Sequence, residues 1–166
     1  VEWVEKGFDV SDAPRARLGA TLAAARTYLA DPNGALKAAE IAVDEARKSG
    51  DQRAEASALG HAAISWAARG DRHRSRELYE EALNRAEAGG DAAGLPTYLL
   101  NLATAHQELG ETARALELLE RAEEMSRRQG NRSSRVAALS NLGNLLLWLG
   151  ATEPARKKIL TSVTLA

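Results

Sequence analysis

A forty-residue recurrence constrains this chain more than any other feature. The stretch Leu139–Gly150, Leu-Ser-Asn-Leu-Gly-Asn-Leu-Leu-Leu-Trp-Leu-Gly, has counterparts forty and eighty residues upstream, so that Gly150 aligns with Gly110 and Gly70. In the same register Gly130 aligns with Gly90 and Gly50, and Asn131 with Asp91 and Asp51. A period of this length marks an array of short units that bury their apolar faces only against their neighbours.

Inside each period the apolar residues return at steps of three and four. Leu18, Leu22, Ala25 and Leu29 form one such set, and Leu36, Ala39, Val43 and Ala46 a second. Leu59, Ala62, Ala63 and Trp66 follow, then Leu78, Ala82 and Ala86, and the pattern continues to Ala155, Ile159 and Val163. That spacing predicts amphipathic helices. Asp31, Asp51 and Asp71 stand where caps are needed, and Pro32 suits a first helical position. The expected fold is all-α, a stack (α-solenoid) of about four helix-turn-helix hairpins over residues 13–166. The repeats fall at about 13–50, 51–90, 91–130 and 131–166. Residues 1–12, with Trp3, Val4 and Phe8, read as the remnant of a preceding helix or an N-terminal lid. Pro96, aided by Gly94, predicts that residues 92–95 form a loop or distorted turn and that the third repeat's first helix starts late.

Composition narrows the function. A net charge of -1 with both signs interspersed provides no basic field for direct nucleic acid binding or for an anionic membrane. The chain has no cysteine and no apolar run long enough to span a bilayer, so a cytoplasmic setting with no membrane contact is expected. It begins at Val1 rather than at a methionine, which suggests a piece of something larger.

Little in the sequence resembles catalytic machinery. His61, His73 and His106 lack the recurring i, i+4 partners of a metal site. His106 replaces an aromatic core position and reads as a hydrogen-bonded core histidine, and His73 lies in the basic, solvated run Arg69–Arg76. The pairs Glu80-Glu81 and Glu123-Glu124 are adjacent and point apart on a helix, so they read as solubilising charge rather than as an acid–base pair. No glycine-rich phosphate loop is present. Accordingly no catalytic residue, metal or cofactor is expected, and the chain reads as no enzyme.

One family shares these offsets. The pairs Leu22-Ala23, Ala62-Ala63, Leu102-Ala103 and Leu142-Gly143 occupy one position of the first helices, followed by Trp66 in the second repeat and by the turn glycines Gly70, Gly110 and Gly150. The second helices carry Ala35, Ala115 and Ala155, with Ser75 departing, then Tyr79, Leu119 and Ile159, then Ala42, Ala82 and Ala122. The pattern resembles the long, forty-residue form of the tetratricopeptide repeat, and is similar to the repeat arm of large bacterial ATP-dependent transcription regulators.

The resemblance implies a right-handed superhelix whose first helices line a concave groove that binds a protein or peptide segment. Asn101, Thr104, Gln107 and Glu108, with Asn141, Asn144, Leu147 and Trp148, would then form the peptide-binding face, extended by His61 and Ile64. The asparagines resemble those with which kinesin light chains grip a peptide backbone. Two alternatives stand beside this: Asn101 and Asn141 bond between neighbouring helices, and Trp148 belongs to the core. The expected function is a protein–protein interaction scaffold, the sensor arm of a larger bacterial regulator. The alternative is a structural self-association module, a possible homodimer through the C-terminal helix, where Ile159, Leu160, Val163 and Leu165 lack an obvious cover.

Overall fold

The computed structural model describes residues 19–24, 26 and 31–166, so the N-terminal lid expected from residues 1–12 lies outside it. Residues 19–24 are helical. Seven further helices follow among the described residues: α1 (Pro32–Ser49), α2 (Gln52–Ala68), α3 (Arg72–Ala88), α4 (Leu95–Glu108), α5 (Thr112–Gln129), α6 (Arg132–Trp148) and α7 (Thr152–Leu165).

Both ends of the helices follow from local chemistry. Asp31, Asp51, Asp71 and Asn131 each accept a hydrogen bond from the backbone N–H three residues on, at 2.9 to 3.1 Å. Each satisfies a donor that the first helical turn leaves unpaired. At the other end Gly50, Gly70, Gly90, Gly110, Gly130 and Gly150 all adopt φ between +64° and +86°. A Cβ at Gly50, Gly70, Gly110, Gly130 or Gly150 would meet nothing within 4 Å. Backbone conformation, and not crowding, therefore reserves these turns for glycine. The turns recur every twenty residues, half the sequence period.

Pro96 acts as expected. Residues 92–94 form a turn, α4 begins only at Leu95 with Pro96 in its first turn, and α4 spans 14 residues against 17 for α2 and α6. Asp91 thus caps no helix of the kind that Asp51 and Asn131 start.

The chain divides into two compact units, residues 1–92 and 93–166. In the first, α2 packs against both α1 and α3. Its core is thin and rich in alanine: Ala35, Ala39, Ala42, Ala46, Ala56, Ala63, Ala82 and Ala86 are fully buried around Leu59. Small side chains let the helix axes approach closely. In the second unit α4 packs on α5, α6 on both α5 and α7, and the core is thicker, built on Leu99, Leu119, Leu139, Leu142 and Leu145. At the α6–α7 crossing Gly143 is buried, and a Cβ there would lie 2.4 Å from Ile159 Cγ1. The helices meet where the Leu-Gly pair of the repeat requires.

Charge ties the first unit together through pairs that helical spacing does not announce. The Glu55 carboxylate, with 6% of its side chain exposed, accepts from Arg47 of α1 at 2.8 Å and lies 3.3 Å from Arg85 of α3. Arg47 also reaches Glu81 at 2.7 Å. Hydrogen bonding to Glu55, with Glu81 adding its charge, pushes the Arg47 guanidinium above its ordinary value against the opposing effect of burial. In the second unit Glu123 of α5 and Arg135 of α6 meet at 2.9 Å. Glu81 and Glu123, expected only to solubilise, therefore link helices; their neighbours Glu80 and Glu124 match the earlier expectation better, Glu124 binding only Arg127 and Arg128 of its own helix.

Candidate protein-binding face

The expected binding residues divide between the two units, and each set is described by itself. In the first unit His61 and Ile64 lie on α2, both half-buried. His61 borders a cleft of about 340 Å³ with Ala20, Thr21, Ala24, Ala54 and Ser57. Burial holds the His61 imidazole below its ordinary value of 6.5, so the ring stays neutral and can both donate and accept. Ser57 and Ala54 were not among the expected residues. Ser57 precedes His61 by one helical turn, and that spacing could have found it.

In the second unit α4 and α6 touch, and each contributes one face. Asn101 is half-buried, and Thr104, Gln107 and Glu108 are exposed. The Thr104 hydroxyl donates to the Leu100 carbonyl at 3.1 Å, which leaves its methyl and lone pairs outward. On α6, Asn141 is half-buried, Asn144 is exposed, Leu147 is 47% exposed and Trp148 is 74% exposed. Trp148 is therefore not a core residue: Leu142 and Leu145, both fully buried, fill the α6 core, with Gly143 at the crossing. The side-chain amides of Asn101, Asn141 and Asn144 make no hydrogen bond among the described residues, so the asparagines do not bridge neighbouring helices. A free amide beside an exposed indole can donate to and accept from a backbone while the ring supplies apolar contact.

His106 differs from its neighbours. It is 6% exposed, and its Nδ1 contacts a Glu111 carboxylate oxygen across the α4–α5 turn. It acts as a satisfied core histidine, as expected. Among the described residues no His, Asp and Glu side chains gather in a way that could hold a metal ion. No described helix is long and apolar enough to cross a membrane.

These features define a class, the all-α solenoid of antiparallel helical hairpins with small residues at the crossings and glycines at the turns. Residues 55–128 match the family model of the tetratricopeptide repeat, which supports that family for this chain. Among solved structures, 98% of it superposes on 67% of BtubC (BKLC) from P. vanneervenii, with a TM-score of 0.84 and 16% identity. A similar likeness, 0.87 at 12% identity, links 95% of it to 41% of aspartyl phosphate phosphatase F from Bacillus subtilis. A third, 0.83 at 14% identity, links 99% of it to 26% of a signal transduction ATPase with numerous domains and a tetratricopeptide repeat sensor from Pyrococcus horikoshii. At these identities the likeness is one of fold. The chain spans about 41% of the phosphatase and about 26% of the ATPase. No curated protein sequence matches it.

Proposed function

We propose that this chain is a protein-binding module whose α4 and α6 faces grip a peptide or protein segment, and that it serves as the sensor or interaction arm of a larger bacterial regulator in the cytoplasm. Tetratricopeptide repeats generally mediate protein–protein interaction. The observation that carries the finer reading is the 74% exposure of Trp148 next to the unbonded amides of Asn141 and Asn144. An indole that large gains most from a partner that desolvates it, and such aromatic anchors often dominate an interface. The backbone-directed amides would add affinity with little demand on the partner's sequence, and Leu100 and Leu147 would select an apolar side chain. In the first unit His61, Ile64 and the adjoining cleft form a separate candidate surface.

A regulator's arm is also the role that the printed description of the Pyrococcus neighbour supports, since there the repeats form a sensor. The test is partner capture from a native lysate, followed by titration of the captured partner against variants. Trp148→Ala is expected to weaken binding by about 2 kcal/mol or more, and Asn144→Ala by less. If both variants stay folded and hold every partner with the parent's affinity, this face is not the binding site.

A further inference from the structure

A second surface has a complement on the same molecule. In the first unit a cleft of about 190 Å³ opens between α1 and α3 over α2. Leu36, Leu59, Leu78 and Trp66 supply its apolar walls, and Glu40 and Asp44 border it on α1. Those two carboxylates are four residues apart and so share one side of the helix. Both are exposed, and neither has an ionic partner among the described residues. Glu81 at the other wall is already satisfied by Arg47. An occupant that suits this cleft brings an aliphatic side chain with a cation about one helical turn away.

Helix α7 presents that pair. Lys157 and Leu160 lie on one exposed stripe, Leu160 is 52% exposed and Val163 beside it is 67% exposed. Lys157 has no ionic partner among the described residues. The repeat register separates the two apolar residues. Val163 corresponds to Val43 and Leu83, which are buried, and to Glu123, which is half-buried, so its column is one that the repeat's own packing covers at least in part. Leu160 corresponds to Glu40, Glu80 and Glu120, all exposed. Packing of one repeat on the next therefore does not account for a leucine at position 160. Nor is a second α7 a suitable partner: Arg156, Lys157 and Lys158 of two copies would repel, and the one carboxylate of that helix, Glu153, is bound by Arg156 at 3.0 Å.

We infer that α7 of one molecule docks in the α1–α3 cleft of a second copy, with Leu160 entering the apolar floor and Lys157 pairing with Glu40 and Asp44. The two surfaces are unlike, so the contact is heterologous and does not stop at a dimer unless it closes into a ring.

Sedimentation velocity on the full chain over a concentration series tests this. The average mass is expected to rise beyond that of a dimer, and to rise less in high salt because the cation–carboxylate contacts are screened. Leu160→Glu, and separately the double substitution Glu40→Lys with Asp44→Lys, should each weaken association at least tenfold while circular dichroism stays that of the parent. Mixed together, the two defective chains should form a one-to-one dimer and nothing larger, because one keeps a sound cleft and the other a sound α7. Trp148→Ala should associate as the parent does, which separates this contact from the partner-binding face. A strict monomer at the highest concentration overturns the inference. So does a mixture that stays monomeric, or association lost through Leu160→Glu but untouched by the cleft substitutions.

Discussion

Ser75 and Ser126 are out of place among their own register mates. Ser75 occupies the column of Ala35, Ala115 and Ala155, and Ser126 that of Ala46 and Ala86, and all five alanines are fully buried. Both serine hydroxyls are buried and lack a hydrogen-bond partner. An unsatisfied buried hydroxyl costs free energy that an alanine methyl does not. Ser75→Ala and Ser126→Ala are each expected to stabilise the fold by about 1 kcal/mol, read as a higher urea midpoint with an unchanged slope. Gly143 runs the other way. Alanine gains about 0.5–1 kcal/mol over glycine in a helix interior. The contact of its Cβ with Ile159 Cγ1, a stiff branched side chain held in the crossing, should cost about 1–3 kcal/mol and outweigh that gain. Gly143→Ala is therefore expected to lower the melting temperature, and adding Ile159→Ala should make the alanine at 143 favourable in a double-mutant cycle. If Gly143→Ala melts above the parent, the crossing is looser than described.

At the scale of the element, the first helix of one hairpin is held to the second helix of the hairpin before it by a charge pair whose polarity is reversed between the units. Glu55 of α2 meets Arg47 of α1, whereas Arg135 of α6, eighty residues after Glu55 and so two repeats on in the same register, meets Glu123 of α5. Arg47 is half-exposed, and exposed pairs contribute little. Its partner Glu55 is not exposed, so Arg47→Ala should cost about 1–3 kcal/mol by weakening the hold on a buried carboxylate. Exchanging Glu123→Arg with Arg135→Glu should recover most of the loss that either change causes alone, measured by thermal melts. These pairs were not legible in the sequence, because their partners are 8, 12 and 30 residues apart and helical spacing announces only neighbours three or four away. Caps, turn glycines and the late start of α4 were legible, since each depends on residues within one turn of the event. The exposure of Trp148 was legible only beside a core alternative, because five consecutive apolar residues, Leu145 to Leu149, leave the choice of inward face to packing.

For the whole molecule, the boundary between the compact units falls in the run Gly89-Gly90-Asp91-Ala92-Ala93-Gly94. Ala92 and Ala93 are exposed and residues 91–94 lie outside any helix. Exposed, glycine-rich, non-helical backbone is the preferred site of nicking. Limited digestion with a protease that cuts after small residues should cleave there first, giving fragments that mass spectrometry resolves; first cuts inside α2 or α6 would contradict the division. The repeat count was readable from period alone, whereas the grouping of hairpins into two units was not, since the register is the same on both sides of residue 92 and only the proline and the extra glycine interrupt it. The even spacing of the left-handed glycines also bears on how such a chain can change length in descent. Loss or duplication of twenty codons would keep every turn intact yet exchange the first- and second-helix positions of all helices downstream. Forty codons would leave every helix in its own register, so a change of a whole hairpin is the one that this spacing accommodates without exchanging helix types.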